Sequence, residues 1–219
     1  ALPLVSAGVV AVLFDPDGRG AAEGTEDQGG QIHQAGLGEV IRLAAQLPCV
    51  DLKRLGVFTS SYGITMGSGA LANDPSLPAK FLIDWEGPAN RDDTGGCDAD
   101  KTGHMMNWSY EKDGQTIAVT CDDEDFWASR EAATSIGKVQ VPYYRFQADK
   151  DHAQPDHNHT ILMINNAIGG SPPAVFLNHH AVTEPLPTQF PKIPPALRVE
   201  DAVEDTQAIL DWIDSFGGA

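Results

Sequence analysis

The residues whose types and spacing suggest covalent chemistry begin at Ser61. This serine stands between a short apolar strand that contains Val57 and Phe58 and an apolar segment, beginning at Ile64, that is predicted to be a helix. A serine at a sharp strand-to-helix turn projects its Oγ atom from the edge of a sheet, and backbone N–H groups at the start of the helix face the same point. Ser61 is therefore a candidate nucleophile, and the N–H group of Tyr62 is a candidate donor to an oxyanion.

The turn around Ser61 also has an ordinary structural interpretation. The nucleophile pattern G-x-S-x-G is matched at Ser61 and Gly63, but Thr59 stands at the position of the first glycine. Small residues are favoured there because the strand and helix backbones approach each other closely. Serine is in addition a favoured N-cap residue of helices. The turn taken alone is compatible with a nucleophile and with a helix cap.

Carboxylate and histidine partners for a nucleophilic serine occur further along the chain. In folds that use such a turn, the chain order is serine, acid, histidine. Asp149 and Asp151 follow one predicted strand, and His179 and His180 follow the next. Both positions lie just past the carboxyl ends of strands, where ligands bind in open parallel sheets. We prefer His180 to His179 as the base, because it lies further into the loop that must reach Ser61.

Strand and helix patterns alternate along the chain, which predicts an α/β fold with a mostly parallel sheet covered by helices on both faces. Apolar residues that recur at i, i+3, i+4 and i+7 predict the helices. The predicted strands are 9–14, 55–58, 79–84, 139–146 and 174–178, and the predicted helices are 37–44, 64–72, 160–168 and 209–216.

The alternation stops between the third and fourth predicted strands for about fifty residues, which is longer than an ordinary connection. We interpret the segment from Glu86 to Ser135 as a lid-like insert within a single domain, 1–219. Most of its aromatic residues are expected to form a small core of their own. Trp85 and Glu86, which follow the third strand, are candidate substrate-binding residues, and Glu86 can pair with a substrate amine.

Charge and hydropathy exclude two classes of partner. The chain has 31 acidic and 14 basic residues and a formal net charge of -17. No basic stripe is present to replace the counterions of nucleic-acid phosphates. The sequence also contains no apolar run long enough to span a membrane and no basic-then-apolar leader, so it predicts a soluble protein.

Three cysteines leave the compartment open. A disulfide between Cys97 and Cys121 is expected if the protein is exported, whereas free thiols are equally compatible with the sequence. Export is favoured over a cytoplasmic location if these two cysteines are bonded.

A cluster of histidines raises the alternative of a metal site. His152, His157 and His159 lie close in sequence to three aspartates, and imidazole with carboxylate is a ligand set for zinc or iron. The spacing of His157 and His159 does not place them on one face of a helix. We therefore favour loop roles for these histidines and predict no metal and no cofactor.

The chain resembles the α/β-hydrolases, and within them the dienelactone-hydrolase and prolyl-oligopeptidase-like esterase branch. That branch has a loop pattern G-x-x-D-x-x-x-P, which is matched at Asp151 and Pro155, with Ala148 in place of the glycine. Asp149 stands at the wrong distance from Pro155. The resemblance extends over nearly the whole chain and is carried by the segments 6–10, 15–20, 50–57, 126–127 and 136–142.

The resemblance implies a serine hydrolase in which Ser61, His180 and Asp151 form a triad and the substrate is a small carboxylic ester. A peptidase or amidase of the same fold is the alternative, and a non-catalytic binding module is a further one. The resemblance also implies N-terminal strands, with a second oxyanion donor, that are expected before Ala1.

Overall fold

A five-stranded sheet forms the centre of the protein, whose computed structural model describes residues 2–94, 97, 108–112, 114–154, 156–198 and 206–217. The strands are β1 (Val57–Ser60), β2 (Leu82–Trp85), β3 (Ser109–Lys112), β4 (Gln115–Ala118), β5 (Tyr143–Phe146), β6 (Val175–Leu177) and β7 (His180–Ala181). The helices are α1 (Leu2–Ser6), α2 (Gln31–Ala44), α3 (Gly63–Asn73), α4 (Arg91–Thr94), α5 (Glu124–Trp127), α6 (Ala132–Ile136), α7 (Asn158–Ile168) and α8 (Thr206–Gly217), with a 3-10 turn at Pro195–Leu197.

The sheet has the spatial order β1-β2-β5-β6-β7 and is mostly parallel, as predicted. β1, β2, β5 and β6 run in the same direction, and only the short β7 is antiparallel to its neighbour. In this register Thr59 lies opposite Asp84, and Asp84 lies opposite Arg145. The carboxyl ends of β1, β2 and β5 therefore meet at one edge of the sheet.

The strands β2, β5 and β6 present apolar residues to two separate cores, which is the pattern of a sheet covered on both faces. Leu82 and Tyr143 pack in the larger core with residues of α2, α3, α6 and α7. Their neighbours Ile83 and Tyr144 point to the opposite face, where Ile209 of α8 packs. Helices thus lie on both faces of the sheet, and the predicted fold class is confirmed.

The predicted first strand, 9–14, is wrong. These residues are described and form no strand, and Val10, Val12 and Leu13 are exposed by 51%, 46% and 82%. A strand needs a neighbour that pairs with its backbone groups, and the five-stranded sheet includes no pairing with this segment. An apolar composition predicts the tendency to form a strand but not the presence of that neighbour.

The predicted insert contains short elements and a small core of its own. A disulfide joins Cys97 to Cys121, and β3 and β4 form an antiparallel pair between them. Phe126 and Trp127 are buried together with Val119. Trp108, Tyr110 and Cys97 pack against this core, so the expectation that most aromatic residues of the insert pack on one another is confirmed. Among the described residues, no helix is long and apolar enough to cross a bilayer.

The cysteine arrangement predicts the number of reactive thiols. Cys49 is the free, exposed cysteine, so unfolded protein without reductant should give one thiol per chain with Ellman's reagent and three after reduction. Cys49→Ser should give none before reduction. Three thiols in unreduced protein purified under oxidising conditions would show that Cys97 and Cys121 are not bonded.

Candidate active site

Ser61 lies at a strained turn directly after β1. Its φ angle is 52°, in the left-handed region that non-glycine residues rarely adopt, and its N–H donates to the carbonyl of Trp85 at 2.9 Å. α3 begins two residues later at Gly63. Thr59, the departure from the glycine pattern, is accommodated by Gly67 of α3, where an added Cβ would lie 2.5 Å from the Thr59 methyl group. The structure therefore has the sharp strand-to-helix turn at Ser61 that the sequence predicts.

His152 is the histidine that contacts this serine. Its Nε2 atom lies 2.9 Å from Ser61 Oγ, and its Nδ1 atom lies 2.8 Å from Oε2 of Glu86. A proton on Nδ1 that is donated to the carboxylate leaves Nε2 as the acceptor for the serine hydroxyl. The three side chains therefore form a linear hydrogen-bonded series of serine, histidine and acid.

Glu86 is buried and held by backbone contacts on both sides. It directly follows β2, has a φ angle of 51°, and donates its N–H to the carbonyl of Phe146 at 3.1 Å. Its Oε1 atom accepts a hydrogen bond from the N–H of Ala148 at 3.0 Å, which leaves Oε2 for His152. The side chain of Glu86 is only 5% exposed and faces His152 rather than solvent.

Asp151 lies one residue before His152 and holds the loop that carries it. Its Oδ1 atom accepts hydrogen bonds from the N–H groups of Ala153 and Gln154 at 2.7 and 2.8 Å, and lies 3.5 Å from Nδ1 of His152. Burial alone would raise the pKa of Asp151, but the interactions with His159, with the Gln147 amide and with the two N–H groups outweigh burial and lower it. The carboxylate is ionised and constrains the loop.

His180 and His179 lie elsewhere in the fold. Asn178 and His179 have φ angles of 47° and 68°, the combination that makes a two-residue type I′ hairpin turn, and Leu177 pairs with His180 across it. β7 is four strand positions from β1, or roughly 19 Å at the usual strand spacing. His180 Nε2 lies 3.4 Å from the carbonyl of Arg198, so the structure does not bring His180 to Ser61.

His179 packs on the aromatic residues of β5. Its Nδ1 atom is hydrogen-bonded to the hydroxyl of Tyr144, and its ring makes an edge contact with Phe146. These contacts show that the His179 ring packs the hairpin between β6 and β7 against β5. The sequence analysis favoured a histidine after the last parallel strand and therefore did not select His152 as the histidine that contacts Ser61. His152 nevertheless directly follows the candidate acid and lies beyond the carboxyl end of β5.

The remaining predicted residues lie on two sides of the turn. Tyr62 is the N-cap residue of α3, and its ring centroid lies 4.9 Å from that of Trp108 in the insert. Its hydroxyl donates to the carbonyl of Gln28 at 2.6 Å. Trp85 packs with the core cluster that includes Ile83. The insert thus contributes an aromatic ring next to the residue that follows Ser61, whereas the indole of Trp85 belongs to the core.

Among the residues that the structure describes, the side chains that could together hold a metal ion lie at the same site. Ligand atoms of Glu86, Asp151 and His152 lie within 4.8 Å of one another. A metal ion on His152 would require the Nδ1 atom, which is 2.8 Å from Glu86 in the hydrogen-bonded series with Ser61. The series and a bound metal therefore compete for one nitrogen atom.

Comparison with solved structures addresses the fold. A puromycin-hydrolyzing peptidase of Mycobacterium tuberculosis has a TM-score of 0.50 and 12% identity to this chain, over 68% of this chain and 21% of its own. The chain has the α/β-hydrolase fold. Est1E of Butyrivibrio proteoclasticus, solved with ferulic acid bound, has a TM-score of 0.42 and 14% identity, over 69% of this chain and 61% of its own.

The chain thus spans about a fifth and about three fifths of these two solved structures. No protein-family model matches the chain, and no curated protein matches it. The likeness establishes the α/β-hydrolase fold, while the site is described by its own geometry.

The lowered pKa of Asp151 predicts a specific pH dependence of stability. Its pKa in the folded protein lies below the value of about 3.9 for an unfolded chain, so its contribution is present above that value and is lost as the pH falls toward the folded pKa. Asp151→Asn should therefore lower the free energy of unfolding at pH 7 more than at pH 3. Urea denaturation of both proteins with the disulfide intact measures this difference, and equal differences at the two pH values would contradict it.

Proposed function

We propose that this protein is a serine hydrolase that cleaves carboxylic esters, with Ser61 as nucleophile, His152 as base and Glu86 as the acid that orients the histidine. The observation that carries the proposal is the pair of contacts on one imidazole ring, 2.9 Å to Ser61 Oγ and 2.8 Å to Glu86 Oε2. The strained serine turn and the chain order serine, acid, histidine support it.

The first half of the reaction forms an acyl-enzyme. Ser61 Oγ attacks the ester carbonyl while its proton passes to Nε2 of His152, and the ionised Glu86 stabilises the imidazolium. The N–H of Tyr62 donates to the oxyanion of the tetrahedral intermediate. His152 then returns the proton to the alcohol oxygen as the C–O bond breaks. Water deacylates the serine by the same proton transfers in the second half.

The original acid candidate, Asp151, has a different role in this proposal. Its Oδ1 atom is 3.5 Å from the imidazole Nδ1, whereas Glu86 Oε2 is 2.8 Å away. Asp151 holds the backbone of the histidine loop through Ala153 and Gln154. We therefore assign hydrogen-bond orientation of the ring to Glu86 and loop positioning to Asp151.

An ester is the favoured substrate class because ester hydrolysis depends less on protonation of the leaving group than amide hydrolysis does. Amide hydrolysis is the alternative within the same mechanism, and the similar structure from M. tuberculosis is a peptidase. We also propose that the insert from Glu86 to Ser135 forms one wall of the substrate site, since Trp108 lies against Tyr62. Parallel assays with a p-nitrophenyl ester and the matching anilide decide between the two substrate classes.

The triad assignment predicts a sharp difference between two histidines. A fluorophosphonate probe should label the native protein, and Ser61→Ala should abolish the label. His152→Gln should lower labelling and ester turnover by about 10³-fold or more, because removal of a triad member leaves little of the catalysis. His180→Gln should retain both activities, since His180 lies on β7.

Glu86→Gln extends the same test to the acid. It should lower kcat by on the order of 10³-fold, because a neutral amide does not stabilise the imidazolium. A folded protein that does not react with the probe would contradict the serine mechanism. Loss of activity in His180→Gln with retention in His152→Gln would restore the histidine first predicted from the sequence.

The wall proposal predicts an effect on substrate preference. Trp108→Ala should raise KM for esters with a bulky acyl group more than for p-nitrophenyl acetate, because a small acetyl group needs less of the wall. Tyr110→Phe is the control, since it removes only a hydroxyl that donates to Asp123 at 3.0 Å within the insert. An equal change in KM for both esters in Trp108→Ala would show that the ring does not contact the acyl group.

A further inference from the structure

A buried ring of four polar side chains ends at the loop that carries His152. Nη2 of Arg145 donates to Oε1 of Gln147 at 2.8 Å and lies 2.9 Å from Nδ1 of His159. From these two side chains the contacts converge on Asp151: Gln147 Nε2 donates to Oδ2 at 2.8 Å, and His159 Nε2 lies 3.3 Å from the same oxygen. Of this ring, Gln147 and Asp151 lie in the connection between β5 and α7 that carries His152, and Asp151 directly precedes His152.

The ring determines which nitrogen of His159 carries the proton. A guanidinium has donors only, so the 2.9 Å contact with Arg145 makes Nδ1 of His159 an acceptor. The carbonyl of Gly87 lies 3.3 Å from the same nitrogen and accepts its hydrogen bond from Arg145 instead. In the neutral imidazole the proton then lies on Nε2, the atom that faces Asp151. His159 and Arg145 are both fully buried, so no solvent competes for these contacts. The imidazole therefore places its Nε2 N–H beside the carboxylate, with nitrogen and oxygen 3.3 Å apart but without the alignment of a hydrogen bond.

His152 depends on such a support because its own side chain is 45% exposed. The backbone of its loop is held by Oδ1 of Asp151, which accepts from the N–H groups of Ala153 and Gln154. The other oxygen, Oδ2, is held by Gln147 and His159. One carboxylate thus joins the buried ring to the loop of the base.

We infer that His159 is a positioning residue, which acts through Asp151 to hold His152 at hydrogen-bond distance from Ser61. The inference rests on the proposed function, because it concerns the histidine that the proposal names as the base. His157, two residues earlier, is also buried but contacts the carbonyl of Ala148 instead of Asp151.

Two substitutions of His159 separate its two contacts. His159→Asn places an amide near the position of Nδ1, so it keeps a partner for Arg145 and loses the contact with Asp151. His159→Gln is longer and places an amide N–H near the position of Nε2, so it keeps the contact with Asp151. Both variants are polar and fill part of the same buried space, which limits the loss of stability.

The experiment measures the rate of fluorophosphonate labelling of Ser61 together with kcat and KM for a p-nitrophenyl ester. In His159→Asn the labelling rate and kcat should fall by about 100-fold with KM nearly unchanged, since a displacement of about 1 Å costs that much. His159→Gln should recover most of the loss. Asn165→Leu is the control, because it removes two hydrogen bonds to Leu186 from the same helix and should lower Tm without changing the labelling rate.

The outcomes distinguish this inference from the function on which it rests. Native protein that is not labelled would overturn the serine hydrolase and the positioning role together. Labelled native protein with an unchanged rate in His159→Asn would overturn only the positioning role. Equal losses in His159→Asn, His159→Gln and Asn165→Leu would show that His159 contributes stability alone.

Discussion

The candidate site depends on a buried ion pair between two neighbouring strands. Asp84 of β2 and Arg145 of β5 are register partners, and both side chains are fully buried. Buried charges are tolerated only when their remaining polar atoms are also satisfied. Asp84 accepts from the hydroxyl of Tyr143 at 2.7 Å and from the N–H of Gly87 at 3.0 Å, while Arg145 donates to the carbonyl of Gly87 at 2.9 Å and to Thr160 at 3.2 Å.

This pair matters for the candidate site because of its position along the strands. Glu86 follows Asp84 by two residues, and Gln147 follows Arg145 by two residues, so the acid and the support of the histidine loop extend from the same two anchors. The hydrogen-bond pattern of the sheet also continues past the strand ends. The N–H of Ser61 donates to the carbonyl of Trp85, and the N–H of Glu86 donates to that of Phe146, which fixes Ser61 and Glu86 relative to each other.

The sequence predicted the sheet and the turn at Ser61 but not the histidine that contacts this serine, for an identifiable reason. Ser61 is marked by its local pattern, because a strand, a turn and a helix follow one another within a few residues. The choice of His180 depended on where a loop goes after its strand, which a local pattern does not determine. The signal for a hairpin was Asn178, since asparagine is among the residues that adopt positive φ most readily.

The contact between Glu86 and His152 was missed for a related reason. Its residue type and its position after a predicted strand were noticed, but its burial was not predictable from a segment followed by glycine and proline. Burial changes the chemistry of the carboxylate, because a buried acid needs a partner and here that partner is His152. The prediction of a strand at 9–14 was wrong for a similar reason, since strand pairing depends on the neighbouring strands as well as on the segment itself.

Backbone strain links the stability of the fold to the chemistry of the site. Ser61 and Glu86 are both non-glycine residues with φ near 50°, and each such conformation costs on the order of 1–3 kcal/mol. Glycine at either position would relieve the strain but would remove the functional side chain. The conformations persist because the adjacent strands hold both backbone N–H groups and the buried ion pair holds the strands. The stability of the pair beneath the strand ends is therefore a condition for placing serine and acid on one histidine.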